Sequence, residues 1–524
     1  MDRRTLLKFI GRAGGTAAVL TTMQSLGLIR SPARASSRPT FAQSDSGAKV
    51  AILGAGIAGM TAAYELTKVG YDCTILEARD RAGGRNWTVR GGDLIKELDS
   101  QQTCAFEAAD SLYVNAGPAR IPYHHTHLLG YCKEFGVPLE VMVNENRGAY
   151  FQDDNAFAGQ PILNRQVVND TRGYIAELLA KAISQQALDQ EVSTDDRDRL
   201  LDMVKSFGKL GDDYRYVGSD RAGFGTPPGA GLTAGELQEP LPLNELLNSA
   251  FWQYKQHFGE GYNQAATMLE PIGGMDQIAK AFEQRVGSLI QYRAVVTRIG
   301  KTSNGVQIRY TDATGAEKSL EADYAICTIP LSVLASIEAD FSPEFKAAIG
   351  EGAQSYNHAV KIAFESRRFW EDDLHIYGGI SWTEKDITQV WYPTAGIHHS
   401  KGIILAAYTW DNEVSDRFAV LTPADRLQKA IAEASTIHSN FGQEVPSTKA
   451  VSVAWSKIPY SQGAWIDWED QESSAAYQRL NQPDDAIFLA GEHLSYLTGW
   501  QEGAVLSAYQ AIEGIAAKQR AMSA

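Results

Sequence analysis

Residues 49–90 limit what this chain can fold into more than any other stretch. Val50-Ala51-Ile52-Leu53 is a short apolar run that reads as a buried parallel strand. Gly54-Ala55-Gly56-Ile57-Ala58-Gly59 follows and leads into an Ala-rich helix from Met60 to Leu66, and a second strand, Cys73 to Leu76, ends on Glu77. Gly54 permits the tight turn, Gly56 lets a pyrophosphate approach the backbone, and Gly59 lets the helix pack close to the strand. The helix start at Ile57 and Ala58 offers free N–H groups and a partial positive charge to the phosphates. Glu77, roughly 20 residues after the glycines, can accept hydrogen bonds from a ribose. A plain glycine turn is the simpler reading, but the strand, the helix and the acidic residue together predict a dinucleotide site. The fingerprint does not separate NAD from FAD.

The continuation does. Glu77-Ala78, then Gly83-Gly84-Arg85, resembles the FAD-binding flavin amine oxidase superfamily, with Arg85 placed to neutralise the pyrophosphate. The resemblance implies FAD, with Ala78, Gly84 and Arg85 among its contacts. It extends to the other end of the chain. Ile487 to His493 reads as a strand carrying Glu492, and Gly499-Trp500-Gln501-Glu502-Gly503-Ala504 opens a closing helix whose N–H groups would face the flavin. The run Val295-Val296 would touch the adenine side through the backbone of Val296. Ala464 stands where monoamine oxidases carry the cysteine that tethers their flavin, so non-covalent binding is expected.

Three further positions bear on a substrate. Gly117-Pro118-Ala119-Arg120-Ile121-Pro122 holds an arginine in a stiff segment, which suits either a preorganised anion clamp or a structural ion pair. The segment resembles the one in L-amino acid oxidases that runs under the flavin and whose arginine grips the substrate carboxylate. Lys361 sits in the apolar run Ala359 to Phe364, where an edge strand with a snorkelling lysine is the ordinary explanation. The resemblance instead makes Lys361 the catalytic residue that holds a water near flavin N5. Gln389 to Pro393 resembles the segment whose second aromatic, here Tyr392, gives its hydroxyl to the carboxylate; a core tyrosine is the alternative. Gly499 and Trp500 would receive the amino group, with Trp500 also a wall of an aromatic cage.

The implied fold is α/β (α+β overall): a discontinuous Rossmann-type FAD-binding domain (47–103, 265–355 and 484–524), a mixed-sheet substrate domain (104–150 and 356–483) and a helical insertion (151–264). The 524 residues, 44% of them hydrophobic, suffice for two or three packed domains. A net charge of −15 argues against nucleic acid or an anionic membrane as partner. Cys73, Cys104, Cys132 and Cys327 show no metal spacing and read as buried thiols. His124, His125 and His127 match no common metal site and lack an accompanying carboxylate in sequence, so no metal is expected. Residues 1–35 resemble a twin-arginine export signal, with Arg3-Arg4 and an Ala33-Arg34-Ala35 cleavage pattern. The apolar stretch between them is too short and broken to anchor the protein stably in a membrane. A periplasmic or secreted enzyme follows.

The resemblance implies oxidation of an L-α-amino acid to its imino acid, hydrolysis to the 2-oxo acid and ammonia, and release of hydrogen peroxide from oxygen. A primary-amine or polyamine oxidase, or a decarboxylating amino acid 2-monooxygenase, would share the fold. Substrate and oxygen are the expected partners, and a homodimer is left open.

Overall fold

The computed structural model describes residues 41, 47–185 and 193–523. The twin-arginine segment lies outside the described residues. The first layer is a five-stranded parallel sheet in the order Ile290–Tyr292, Asp72–Glu77, Lys49–Leu53, Tyr324–Cys327, Ile487–Leu489. Val50 to Leu53, Tyr324–Cys327 and Ile487–Leu489 are buried throughout, which is why they read as unbroken apolar runs. The helix Ile57–Lys68 starts directly after the first strand, and the long C-terminal helix Gln501–Ser523 packs against it. This Rossmann-type layer therefore takes its strands from three separate pieces of chain.

The second layer is a seven-stranded mixed sheet in the order Ile162–Leu163, Tyr150–Gln152, Gly379–Thr383, Gln389–Tyr392, Lys401–Tyr408, Val360–Arg367, Ala450–Ala454. The strand carrying Lys361 is flanked on both sides, by Lys401–Tyr408 and Ala450–Ala454, so it is not an edge strand. Between 151 and 264 the helices Asn164–Ser184 and Thr194–Gly208 pair around a small apolar cluster that includes Ala176, Ile183, Val204 and Tyr216.

Two segments pair away from the parallel layer. The strand Met268–Pro271, assigned to the cofactor layer, pairs instead with Ile121–Pro122 and Leu139–Met142. The hairpin Leu94–Lys96 and Gln101–Thr103 packs on the seven-stranded sheet, where Glu97 meets the fully buried Arg426 at 2.7 Å. Such pairings join residues far apart in sequence and leave no local periodicity to read. At the opposite edge, Ile162–Leu163 adds a short strand beside Tyr150–Gln152.

The four cysteines are buried as free thiols. Among the described residues no helix is long and apolar enough to cross a membrane.

Candidate active site

A cavity of about 520 Å3 runs between the layers. Gly56 caps the helix Ile57–Lys68 with an extended backbone and no capping side chain, and an added Cβ there would meet nothing within 4 Å. The open space beside it belongs to the cavity. Gly59 behaves differently. A Cβ on it would lie 2.0 Å from the Gly54 carbonyl oxygen, so Gly59 serves helix–strand packing and does not line the cavity. At the end of the second strand the Glu77 carboxylate is fixed by two backbone N–H groups, Ala55 at 2.8 Å and Arg79 at 2.9 Å. Gly54, Ile57, Ala58, Ala78, Gly84, Arg85 and Val296 line the same space.

The two ends of the chain meet through Arg85 and Glu492. Arg85 Nη1 donates to Glu492 at 2.8 Å and to the Ala464 carbonyl at 2.9 Å, while the other Glu492 oxygen accepts from Gly499 N at 2.8 Å. Glu492, Gly499, Trp500, Gln501 and Ala504 all line the cavity, as do Gly117 and Pro118. Three expected contacts stand behind the wall instead. The Glu502 carboxylate accepts from the backbone of His127 and Leu128 and binds His127 Nδ1 at 2.7 Å, so it caps the helix Thr126–Phe135. A Cβ on Gly503 would fall 2.2 Å from Ser495 Oγ, which makes it a packing residue. Ala119 packs against the apolar core of the substrate layer. The histidines do have a carboxylate near, contrary to expectation, because Glu502 comes from the far end of the chain. His124 and His125 share Asn263 Oδ1.

Lys361 is buried and lines the cavity. Its Nζ donates to the carbonyls of Gly117 at 2.6 Å and Asn115 at 2.9 Å, and lies 4.5 Å from the Tyr408 ring centroid. Burial, followed by the neighbouring charge of Arg120, brings it down to about 7. Arg120 lies just outside the cavity lining, beyond Trp500. Its guanidinium is 4.8 Å from the Trp391 ring, 5.4 Å from Trp500 and 5.7 Å from Phe258. Its Nε and Nη2 donate to Gln264 Oε1, and burial lowers its pKa to about 10. Among the described residues no carboxylate pairs with Arg120 or Lys361.

Tyr392 does not join Arg120. Its hydroxyl bonds Ser381 Oγ and His438 Nε2, both at 2.6 Å, on the far face of the sheet. Successive strand residues face opposite ways, and here the site-facing one is Trp391. Sequence reasoning missed Tyr408, which sits in register with Lys361 and lines the cavity. It also missed the lining residues Trp455 and Trp465, although Trp465 directly follows Ala464.

These residues fit a flavin dinucleotide: an open glycine at an uncapped helix start, a fixed carboxylate one strand away, and an aromatic region beyond. Residues 57–515 match the family model of flavin-containing amine oxidoreductases, and the chain belongs to that family. It is an oxidoreductase with a flavin cofactor. It is 30% identical over 482 residues (87% of this chain, 92% of the relative) to a Bacillus subtilis (strain 168) protein provisionally named L-amino-acid oxidase YobN. It is 27% identical over 494 residues (90% and 98%) to the flavin-dependent L-tryptophan oxidase RebO of Lentzea aerocolonigenes. A solved variant of putrescine oxidase superposes with a TM-score of 0.57 at 17% identity, covering 90% of this chain and 99% of that one, which shows a common fold.

Proposed function

We propose that this enzyme is an L-amino acid oxidase that holds FAD non-covalently and converts L-α-amino acids to 2-oxo acids, ammonia and hydrogen peroxide. The observation that carries this reading is Arg120: a buried guanidinium, enclosed by three aromatic rings, with no carboxylate partner among the described residues. A buried unpaired cation is costly, and an α-carboxylate would balance it where a simple amine would not. The relatives named as amino acid oxidases agree with the choice.

In this reading Arg120 takes the carboxylate, and Trp391, Trp500 and Phe258 keep water from it. Gly499 and Trp500 bound the place of the amino group. Lys361, fixed by two backbone carbonyls, holds a water at the reacting face. The flavin held by these residues would supply the oxidising power for removal of a hydride from Cα, with oxygen as final acceptor. A substrate that reacts as the neutral amine needs no proton removed by a side chain before hydride transfer; the protein binds and orients. Glu77 would hold the ribose of FAD. Ala464 offers no nucleophile where a tethering cysteine would stand, which supports non-covalent binding.

Anaerobic titration of the bound flavin tests the proposal. Bleaching by L-amino acids and not by their decarboxylated amines is the expected result. Bleaching by amines alone would make the protein an amine oxidase, and an amide product in air would make it a decarboxylating monooxygenase. The Arg3-Arg4 segment further supports export through the twin-arginine route to the periplasm or beyond. Replacing both arginines by lysine should leave the enzyme in the cytoplasm.

A further inference from the structure

Gln264 occupies the edge of Arg120 that a substrate would need. The guanidinium donates through both Nε, at 3.1 Å, and Nη2, at 2.6 Å, to the single oxygen Oε1 of Gln264. Arginine only donates, so the oxygen of the amide must face it. The Nε–Nη2 edge is one that binds a carboxylate with two parallel hydrogen bonds. A neutral amide oxygen keeps the guanidinium hydrogen-bonded and oriented but leaves its charge unbalanced.

The backbone of Gln264 is held while its side chain is partly exposed. Its N–H donates to the Gly261 carbonyl at 2.7 Å, and its own carbonyl accepts from Asn144 Nδ2 at 2.9 Å. The preceding Asn263 binds His124 and His125, which fastens this turn to the segment that carries Arg120. Side-chain rotation alone can therefore release Arg120 without moving the loop.

We propose that Gln264 is a specificity-determining residue: its amide stands in for the α-carboxylate in the resting enzyme and yields Arg120 to the substrate, and its neutrality keeps Arg120 free for an acid. The proposal rests on the reading of Arg120 as the carboxylate clamp. It follows that a carboxylate at position 264 would form a permanent internal pair and shut the site to amino acids. An apolar residue there would remove a competitor.

The test is calorimetric binding of an α-methyl L-amino acid, which has no Cα hydrogen and cannot be oxidised, to the flavin-loaded wild type and to Gln264→Glu, Gln264→Leu and Arg120→Leu. The flavin spectrum and melting temperature serve as folding controls. The expected result is about 100-fold weaker binding for Gln264→Glu, roughly 3- to 10-fold tighter binding for Gln264→Leu, and near-complete loss for Arg120→Leu. Wild-type affinity in Gln264→Glu, or weakened binding in Gln264→Leu, would overturn the role of Gln264 while leaving the clamp standing. Undiminished binding in Arg120→Leu would overturn the clamp itself.

Discussion

Lys361 Nζ donates to the Gly117 carbonyl oxygen at 2.6 Å, which ties the seven-stranded sheet to the segment that delivers Arg120 three residues later. The two cations are then close enough for Arg120 to help lower the pKa of Lys361. That arrangement makes the protein's stability depend on pH in a definite direction. Folding moves the lysine from 10.5 to about 7, so between these values the unfolded chain binds the extra proton and stability rises with pH. Lys361→Met should flatten this slope. Denaturant unfolding of both proteins at several pH values from 7 to 10 checks it; parallel profiles would remove the burial argument. If Lys361 also holds a water at the reacting face, the variant should retain its flavin yet turn over about 10- to 100-fold more slowly.

Arg120→Ala should raise KM for L-amino acids on the order of 100-fold. Arg120→Lys keeps the charge but loses the planar fork, and about 10-fold is expected. Steady-state kinetics with amino acids and matching amines separates a carboxylate role from a general one. An equal loss on both substrates would count against the clamp.

Tyr392 and Trp391 make opposite predictions although they are adjacent. Tyr392→Phe removes a hydroxyl shared by Ser381 and His438, so stability should fall by about 1–3 kcal/mol with KM within twofold of wild type. Trp391→Leu strips a ring from Arg120 and should raise KM several-fold. Kinetics and unfolding on both variants would show the reverse pattern if Tyr392 were the carboxylate ligand.

Gly56 and Gly59 divide a cofactor role from a folding role. Gly56→Ala places a methyl group in open cavity, and the expected product is a folded protein that has lost its flavin. Gly59→Ala drives a methyl into the Gly54 carbonyl and should cost about 3 kcal/mol or more. Flavin content and melting temperature, measured together, distinguish the two.

The sequence shows the parallel layer plainly, because Val50 to Leu53 is buried on both faces and the glycine turn has a fixed grammar. The substrate layer is harder to read. The resemblance singles out Tyr392 in the run Gln389 to Pro393, but nothing in that run sets the phase of a strand, and the residue that faces Arg120 is Trp391. Tyr408 becomes a site residue only through its register with Lys361, a pairing between positions far apart in the chain. Gln264 has no motif at all; its position depends on how the insertion returns to the strand Met268–Pro271. Glu502 shows the converse, a residue within a recognisable motif whose side chain serves a helix end.

The strand Ile487–Leu489 completes the parallel layer beside Tyr324–Cys327, and the terminal helix closes over Ile57–Lys68. A growing chain on the ribosome therefore holds an open β edge and an uncovered apolar helix through most of its synthesis. Gly54 and Ala504, walls of one cavity, are made far apart in time. Flavin can be enclosed only after the segment carrying Ala504 has folded onto the one carrying Gly54.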